Sequence, residues 1–592
     1  MRRAPFAELN RFGRLAAAVA VLLAVVMLFS CAKTPSGERP DDTFDPVATS
    51  TPGADEPAAE ERLPVEGGVL KLSVGPFDTI NPLLTNNEDI RVYAGFVCEM
   101  LVVPDSFMEP TGNVLREWVH NEEFTVWEFT VADGIVFHDG SAVEASDVKR
   151  VIDYIIARGG NYAANVENVA GCFAKDEKTL QLVLKEPDAH VPEKLAIPLV
   201  GWQTLAADRP VLLAGTGIFK QKDLTGQKLT LEKNADYRNA DALTHFDNVE
   251  ITFYESEDAK LRSDFDMALF YGSSVGLSAL KKDTKVQYYT GSVYDFIAIK
   301  CSSTYLISNP VSSDDVETGE EKTFVTLANA FASSDMRRAL NLLTSRQEAV
   351  NAAASGHGTV SLLPLYSGTV YRRQNQEDYP YNPVRAQLLM NAAGYTKSAV
   401  DGKWYDADGN ELIVRAISPK ANFRMGRTLR QATNALKEIG VTVELEEIGD
   451  DEYLDRLRNK EYMLAAVEIE LGTWQSVEKI LKTDGELNFT FYGNSRIDDY
   501  IEQIETIENA GVILAAYNEI EKIVLEDNPI AGMFIADNAV VLSGRLQGFR
   551  QEAVRPWNIL ATAAEWWIEE PVEDTPDPAA DETPAPTGEG GN

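Results

Sequence analysis

Residues 115–148 read LREWVHNEEFTVWEFTVADGIVFHDGSAVEASDV. From Phe124 to Val131 apolar and polar residues alternate, with β-branched and aromatic side chains, which predicts a half-buried strand. Asp139-Gly140 is a turn signal. Ser146 and Asp147 then offer a cap and a negative charge to a helix start, and Val148, Val151, Ile152 and Ile155 fall at helical spacing over 146–157. The aromatic residues read as packing. The stretch therefore predicts strand, turn and capped helix in quick succession, a structural unit with no catalytic group in it.

Working outward, Val69–Val74 (VLKLSV) alternates and opens the folded region, and Thr179–Leu184 (TLQLVL) is a further strand. Amphipathic helices are expected at about 334–353, 384–393, 421–438, 451–459, 495–508 and 511–526. Strands at 411–417, 441–446 and 463–469 alternate with them. Strands and helices in alternation predict layered α/β structure, and 592 residues are more than one domain needs. No internal repeat is visible.

The flanks differ from this body. Arg2, Arg3, Arg11 and Arg14 precede an apolar run from Leu15 to Phe29. At 1.5 Å per residue that run makes about 22 Å of helix, short of the ~30 Å bilayer core, and so reads as a signal-peptide segment. It ends in Leu28-Phe29-Ser30-Cys31, which resembles a bacterial lipoprotein signal. That resemblance implies cleavage after residue 30, lipidation of Cys31 and a cell-membrane anchor facing outside the cytoplasm. Residues 31–65 and 569–592 are rich in Pro and acidic residues and lack periodic apolar positions, so a disordered tether and a disordered acidic tail are expected.

The whole chain carries a formal charge of −38, and residues 66–568 alone keep −28. Acidity of that size repels nucleic acid and anionic membrane surfaces, so neither is an expected partner. Beyond Cys31 the cysteines are Cys98, Cys172 and Cys301, an odd number that implies no disulfide framework; buried thiols are expected. The five histidines never approach H-x-x-x-H spacing, so no metal site is expected, and no nucleotide-binding glycine loop or other cofactor motif is present. Gly272-Ser273-Ser274-Val275-Gly276 matches G-x-S-x-G. A hydrolase elbow would also need an acid and a histidine downstream, and His357 in a glycine-rich loop is the single histidine that follows. Turns of small residues match the pattern easily, so no catalytic residue is assigned.

Once extended, the 115–148 pattern resembles family 5 of the ABC-transporter solute-binding proteins, the dipeptide- and oligopeptide-binding group. Trp118, Phe129, Asp133-Gly134, Phe137-His138-Asp139-Gly140, Ala145 and Asp147-Val148 match its spacings. Gly215-Thr216-Gly217-Ile218-Phe219 looks like its G-T-G-P-Y, Leu231–Tyr237 its L-x-x-N-x-x-Y, and Asp335–Arg346 its R-V-R-x-A-L-x-x-A-I-D-R. Asn382–Tyr395 and Asn528-Pro529 follow in the family's order.

The resemblance implies an α/β fold of two lobes, periplasmic-binding-protein-like (class II), with an additional small domain in lobe I. By analogy lobe I is expected at about 66–90, 190–296 and 525–568, the extra domain at about 91–189, and lobe II at about 297–524. The chain would cross between lobes near 296–300 and 520–527. The implied function is capture of a small solute, a peptide first of all, by a monomer that hands it to an ABC permease complex. The alternatives are a non-peptide ligand on the same fold (an oligosaccharide, a metal chelate, haem), or a peptide sensor.

Many peptide-binding members carry G-W-x-x-D on a lobe II strand, whose Asp pairs with the peptide amine. Here Tyr462–Gly472 reads YMLAAVEIELG, lacking both residues. Glu468 and Glu470, two apart and so on one strand face, stand nearby and either orient a ligand ammonium or form a solvated face. The expected cleft wall is Glu468, Glu470 and Trp474 from lobe II with Phe534 and Asn87 from lobe I. Trp474 and Phe534 suit core as well as wall.

Overall fold

Two strands are long enough to belong to both halves of the molecule: Lys285–Ile299 and Ile530–Leu542. In the computed structural model they run antiparallel at the centre of one large sheet. The structure describes residues 63–206, 212–272, 280–281, 283–308, 324–366, 369, 371–372, 379–551 and 557–569. Cys31, the tether and Ser274 lie outside the described residues, as does the acidic tail beyond Glu569.

The sheet order is Thr442–Ile448, Ile413–Pro419, Leu464–Glu470, Lys285–Ile299, Ile530–Leu542, Met267–Phe270, Val69–Val74, Asn248–Phe253, Lys228–Lys233 and Phe219–Thr225. Val69–Val74 lies parallel to both of its neighbours, and so does Ile413–Pro419. Each half therefore has parallel strands at its core, extended in the first by the antiparallel Lys228–Lys233 and Phe219–Thr225, and the fold is two-lobed. The long strands pair with the first half through Met267–Phe270 and Leu542–Ala539. They pair with the second through Val293–Ile299 and Glu470–Leu464. Their mutual register breaks between Thr290 and Tyr294 and again between Asp295 and Phe296, the second at the edge of the 296–300 expected for the crossing.

The expected elements form for the expected reasons, with instructive shifts. The helix spans Ala145–Arg158, buries Val148, Val151, Ile152 and Ile155, and is capped by Glu144 rather than Ser146. The Asp147 carboxylate accepts the Glu144 backbone N–H at 3.0 Å, a capping box that needs both acids. The strand begins at Val126 rather than Phe124, because Phe124 sits at φ +51° in a turn organised by Asn121. The long helix expected at 334–353 is two, Ser334–Leu343 and Arg346–Ala354, since Ser345 turns out of the helix and caps the second. Cys98 and Cys172 are buried and Cys301 partly so; all three are free.

Leu115–His120, Val126–Val131, Thr179–Leu184 and Val169–Ala174 form a separate antiparallel sheet, the small domain. It shares one hydrophobic cluster with the first half, including Trp127, Phe129 and Phe96, while a second cluster fills the other half. The family-like glycines sit at this junction. A Cβ on Gly215 would lie 2.1 Å from the Val97 carbonyl oxygen, and one on Gly217 2.4 Å from that of Phe96. Against the same loop His138 donates its backbone N–H to the Gly215 carbonyl (3.1 Å), and its Nε2 lies 3.1 Å from that of Gly217. The 115–148 stretch and the G-T-G segment are thus two sides of one joint. No helix among the described residues is long and apolar enough to cross a membrane.

Candidate functional site

A cavity of about 1230 Å³ lies between the halves. Its first-lobe side is lined by Glu88, Arg91 and Tyr162, with Glu99 and Tyr237. The second-lobe side is the run Ile469–Ser476, where the strand Leu464–Glu470 ends and the chain turns across the opening. Ser292, at a register break of the crossing strand, and Trp557–Leu560 also line it.

Of the residues expected on the wall, the structure brings Glu470 and Trp474 together on it. Glu470 reaches across the opening to Arg91, its carboxylate 3.5 Å from Nη1. Trp474 lies flat against the His190 ring, centroids 3.7 Å apart, and meets the Tyr371 ring edge-on at 5.3 Å.

The other three expected residues do not line the cavity. Glu468 turns to Arg424, 2.5 Å away, whose Nε also holds the buried Asp295 at 2.9 Å. Burial, only partly offset by Arg424, pushes the Asp295 carboxyl up to about 7. Phe534 is fully buried in the second-lobe cluster, because its strand is central and pairs on both edges with Asp295 and Val360. Asn87 caps the short helix Glu88–Tyr93: its Oδ1 accepts the Ile90 N–H (3.0 Å) and its Nδ2 donates to the Pro76 carbonyl (2.9 Å).

The residues that sequence reasoning missed come from that same helix. Glu88 and Arg91 are one helical turn apart, so both face the cavity. Burial pushes the Glu88 carboxyl up to about 7; Arg91 opposes the shift and Glu470 adds to it. Deeper in, Glu99 accepts hydrogen bonds from the Tyr237 hydroxyl (2.8 Å) and Arg238 Nη1 (2.5 Å). Tyr237 ends the L-x-x-N-x-x-Y segment, a sequence signal for the family resemblance and not for the wall.

The halves also touch through other residues, at the cavity and outside it. Met108, at φ +71° in the loop that follows Val102–Pro104, is buried in the second-lobe cluster. Lys479 lies 3.8 Å from Glu167, and His120 3.3 Å from Glu508. The arrangement is a partly open, mixed-charge cleft with walls from two lobes joined by crossing strands, which suits it to hold a solute.

Comparison with known proteins agrees. The family model for bacterial extracellular solute-binding proteins, family 5 (middle region), matches residues 109–479, and the chain belongs to that family. It is 23% identical over 530 residues to the "Probable D,D-dipeptide-binding periplasmic protein DdpA" of Escherichia coli (strain K12), covering 83% of this chain and 93% of that protein. Among solved structures, the oligopeptide-binding protein AppA from Bacillus subtilis in complex with a nonapeptide superposes with a TM-score of 0.59. The identity is 18%, over 86% of this chain and 100% of AppA. NikA from Brucella suis in complex with Fe(III)-EDTA gives a TM-score of 0.66 at 14% identity, over 85% of this chain and 100% of NikA. The same fold thus holds a peptide in one relative and a metal chelate in another.

Proposed function

We propose that this chain is the lipid-anchored, extracytoplasmic binding component of an ABC importer, and that it captures a peptide between its lobes and delivers it to the permease. The observation that carries the reading is the chamber itself, walled by both lobes beside the crossing strands. At about 1230 Å³ it exceeds the ~300–1,000 Å³ that drug-sized ligands fill, room for a ligand of several residues. Glu470 is the carboxylate placed to take a ligand ammonium, exchanging its long contact with Arg91 for a charge-assisted hydrogen bond. Relatives named for dipeptide and oligopeptide binding support the peptide class.

Cys31 supplies the anchor and residues 31–65 the tether. The body divides into lobe I at about 66–90, 190–296 and 525–568, the small domain at about 91–189, and lobe II at about 297–524. The second register break, between Asp295 and Phe296, supports placing the first crossing near 296. The protein acts as a monomer and performs no hydrolysis through Ser274.

Thermal unfolding of the purified protein against pools of alanine peptides, sugars and metal chelates tests the ligand class. A ligand at 100 times its Kd adds about 2.7 kcal/mol, read as a raised midpoint. A shift with peptides alone is expected; a shift with another pool and none with peptides overturns the peptide class.

A further inference from the structure

The segment after the small domain's last strand docks on the opposite lobe. The Ala189 backbone N–H donates to the Glu505 carbonyl at 2.8 Å. Thr473 Oγ1 donates to the Glu193 carbonyl at 2.7 Å, and the Tyr371 hydroxyl lies 3.4 Å from Glu193 Oε1. At the centre is His190, whose side chain is 2% exposed and lies flat on the Trp474 indole with 12° between the planes. Its Nε2 is 2.8 Å from the Ile504 carbonyl oxygen and its Nδ1 3.3 Å from Glu193 Oε1.

Both partners of this ring accept hydrogen bonds. A neutral imidazole has one N–H and one lone pair, so it satisfies one partner and turns a lone pair on the other; an imidazolium satisfies both. A cation stacked on an indole face is further favoured. The charges around the ring act the same way. Asp188, Glu193 and Lys194 come from its own segment, and Glu478, Glu505 and Tyr371 from the facing lobe, four carboxylates against one ammonium. Burial disfavours the charged ring, but the Glu193 hydrogen bond, the Glu193 and Glu505 charges and the Ile504 carbonyl outweigh it, so the pKa lies above the ordinary value.

We propose that His190 is a positioning residue of the cleft, which as an imidazolium pins Trp474 across the two lobes and holds them closed, so that ligand is retained more tightly as pH falls. The proposal rests on the reading that ligand is enclosed by lobe closure, and it goes beyond that reading in making closure proton-linked. The sign follows from the raised pKa. The contribution is complete below the free-imidazole value of about 6.5 and is lost as pH rises through the higher value of the closed state.

The test measures binding of an alanine peptide pool between pH 5.5 and 8.0 by the wild type and His190→Gln, whose amide still donates to Ile504 but carries no proton switch. Wild-type affinity is expected to fall roughly tenfold across the range, the effect of losing one charge-assisted hydrogen bond, with His190→Gln weak and flat. A flat wild type, or the same slope in His190→Gln, overturns the proposal; the latter would locate the pH effect in the peptide or elsewhere in the cleft. The imidazole C–H titration of the wild type, assigned by its absence in His190→Gln, gives a second reading without ligand. A midpoint above about 6.5 supports the latch, and one at or below it overturns it. If no peptide binds at any pH, the peptide reading fails and this titration alone decides the latch.

Discussion

The joint between the small domain and its lobe and the wall of the cleft are built from opposite kinds of contact. The joint is backbone against backbone: Gly215 and Gly217 lie where any Cβ would meet a carbonyl of Phe96 or Val97, and His138 donates into the same loop. The cleft is side chain against side chain, Arg91 to Glu470 across the opening and His190 packed on Trp474 behind it. Backbone contact tolerates almost no change of residue and leaves a readable motif. Side-chain contact between lobes can be made by many residue pairs, and leaves none.

The largest test of that contrast is Gly217→Val, whose side chain would be driven into the Phe96 and Val97 backbone. Thermal unfolding should show a loss of about 3 kcal/mol or more, or no folded protein. A variant of wild-type stability would mean that the joint is looser than the structure has it.

The two strand glutamates sharpen the contrast within one element. Glu470→Gln is expected to weaken binding of peptides with a free amino end about tenfold while sparing N-acetylated ones, read by calorimetry. Glu468→Gln, which loosens the clamp of Arg424 on Asp295, should leave that selectivity intact and lower the unfolding midpoint instead. Equal loss for both peptide classes in Glu470→Gln would remove its role toward the amine.

The smallest effect concerns Glu88. Its carboxyl is raised to about 7 by burial beside Glu470, so the folded state holds a proton that the unfolded chain has already released. Stability contributed by that proton is present below about pH 4.5 and declines as pH rises towards 7. The decline is about 1 kcal/mol once screening at a partly open cleft is allowed for. Glu88→Gln should flatten this part of the unfolding profile, and Glu470→Gln should shift it to lower pH; an unchanged slope in Glu88→Gln would show that another group causes it.

Helix and strand positions were legible wherever local pattern and burial agree, as in Val69–Val74 and Thr179–Leu184, which form over the residues expected. Boundaries moved where a single side chain intervened, as Ser345 did by capping a second helix inside one amphipathic run. The wall was half legible. Glu470 and Trp474 were placed there by the family's strand position, whereas Glu88 and Arg91 gave no signal, because a short polar helix looks the same in sequence whether it faces solvent or a cleft.

Sequence alone determined that this chain alternates strands and helices and that its acidity belongs to residues 66–568, and its motif spacings carried the family resemblance from which two lobes were expected. Those properties rest on periodicity, fixed glycines and composition, which are local or additive along the chain. Tertiary structure alone decided that Glu468 is tied to Arg424 while Glu470 faces Arg91, that Phe534 is core, and that His190 meets Trp474. Each depends on where a strand ends relative to the lobe edge and on which residue the other lobe brings opposite, across separations as long as 379 residues. Local pattern carries no record of that distance.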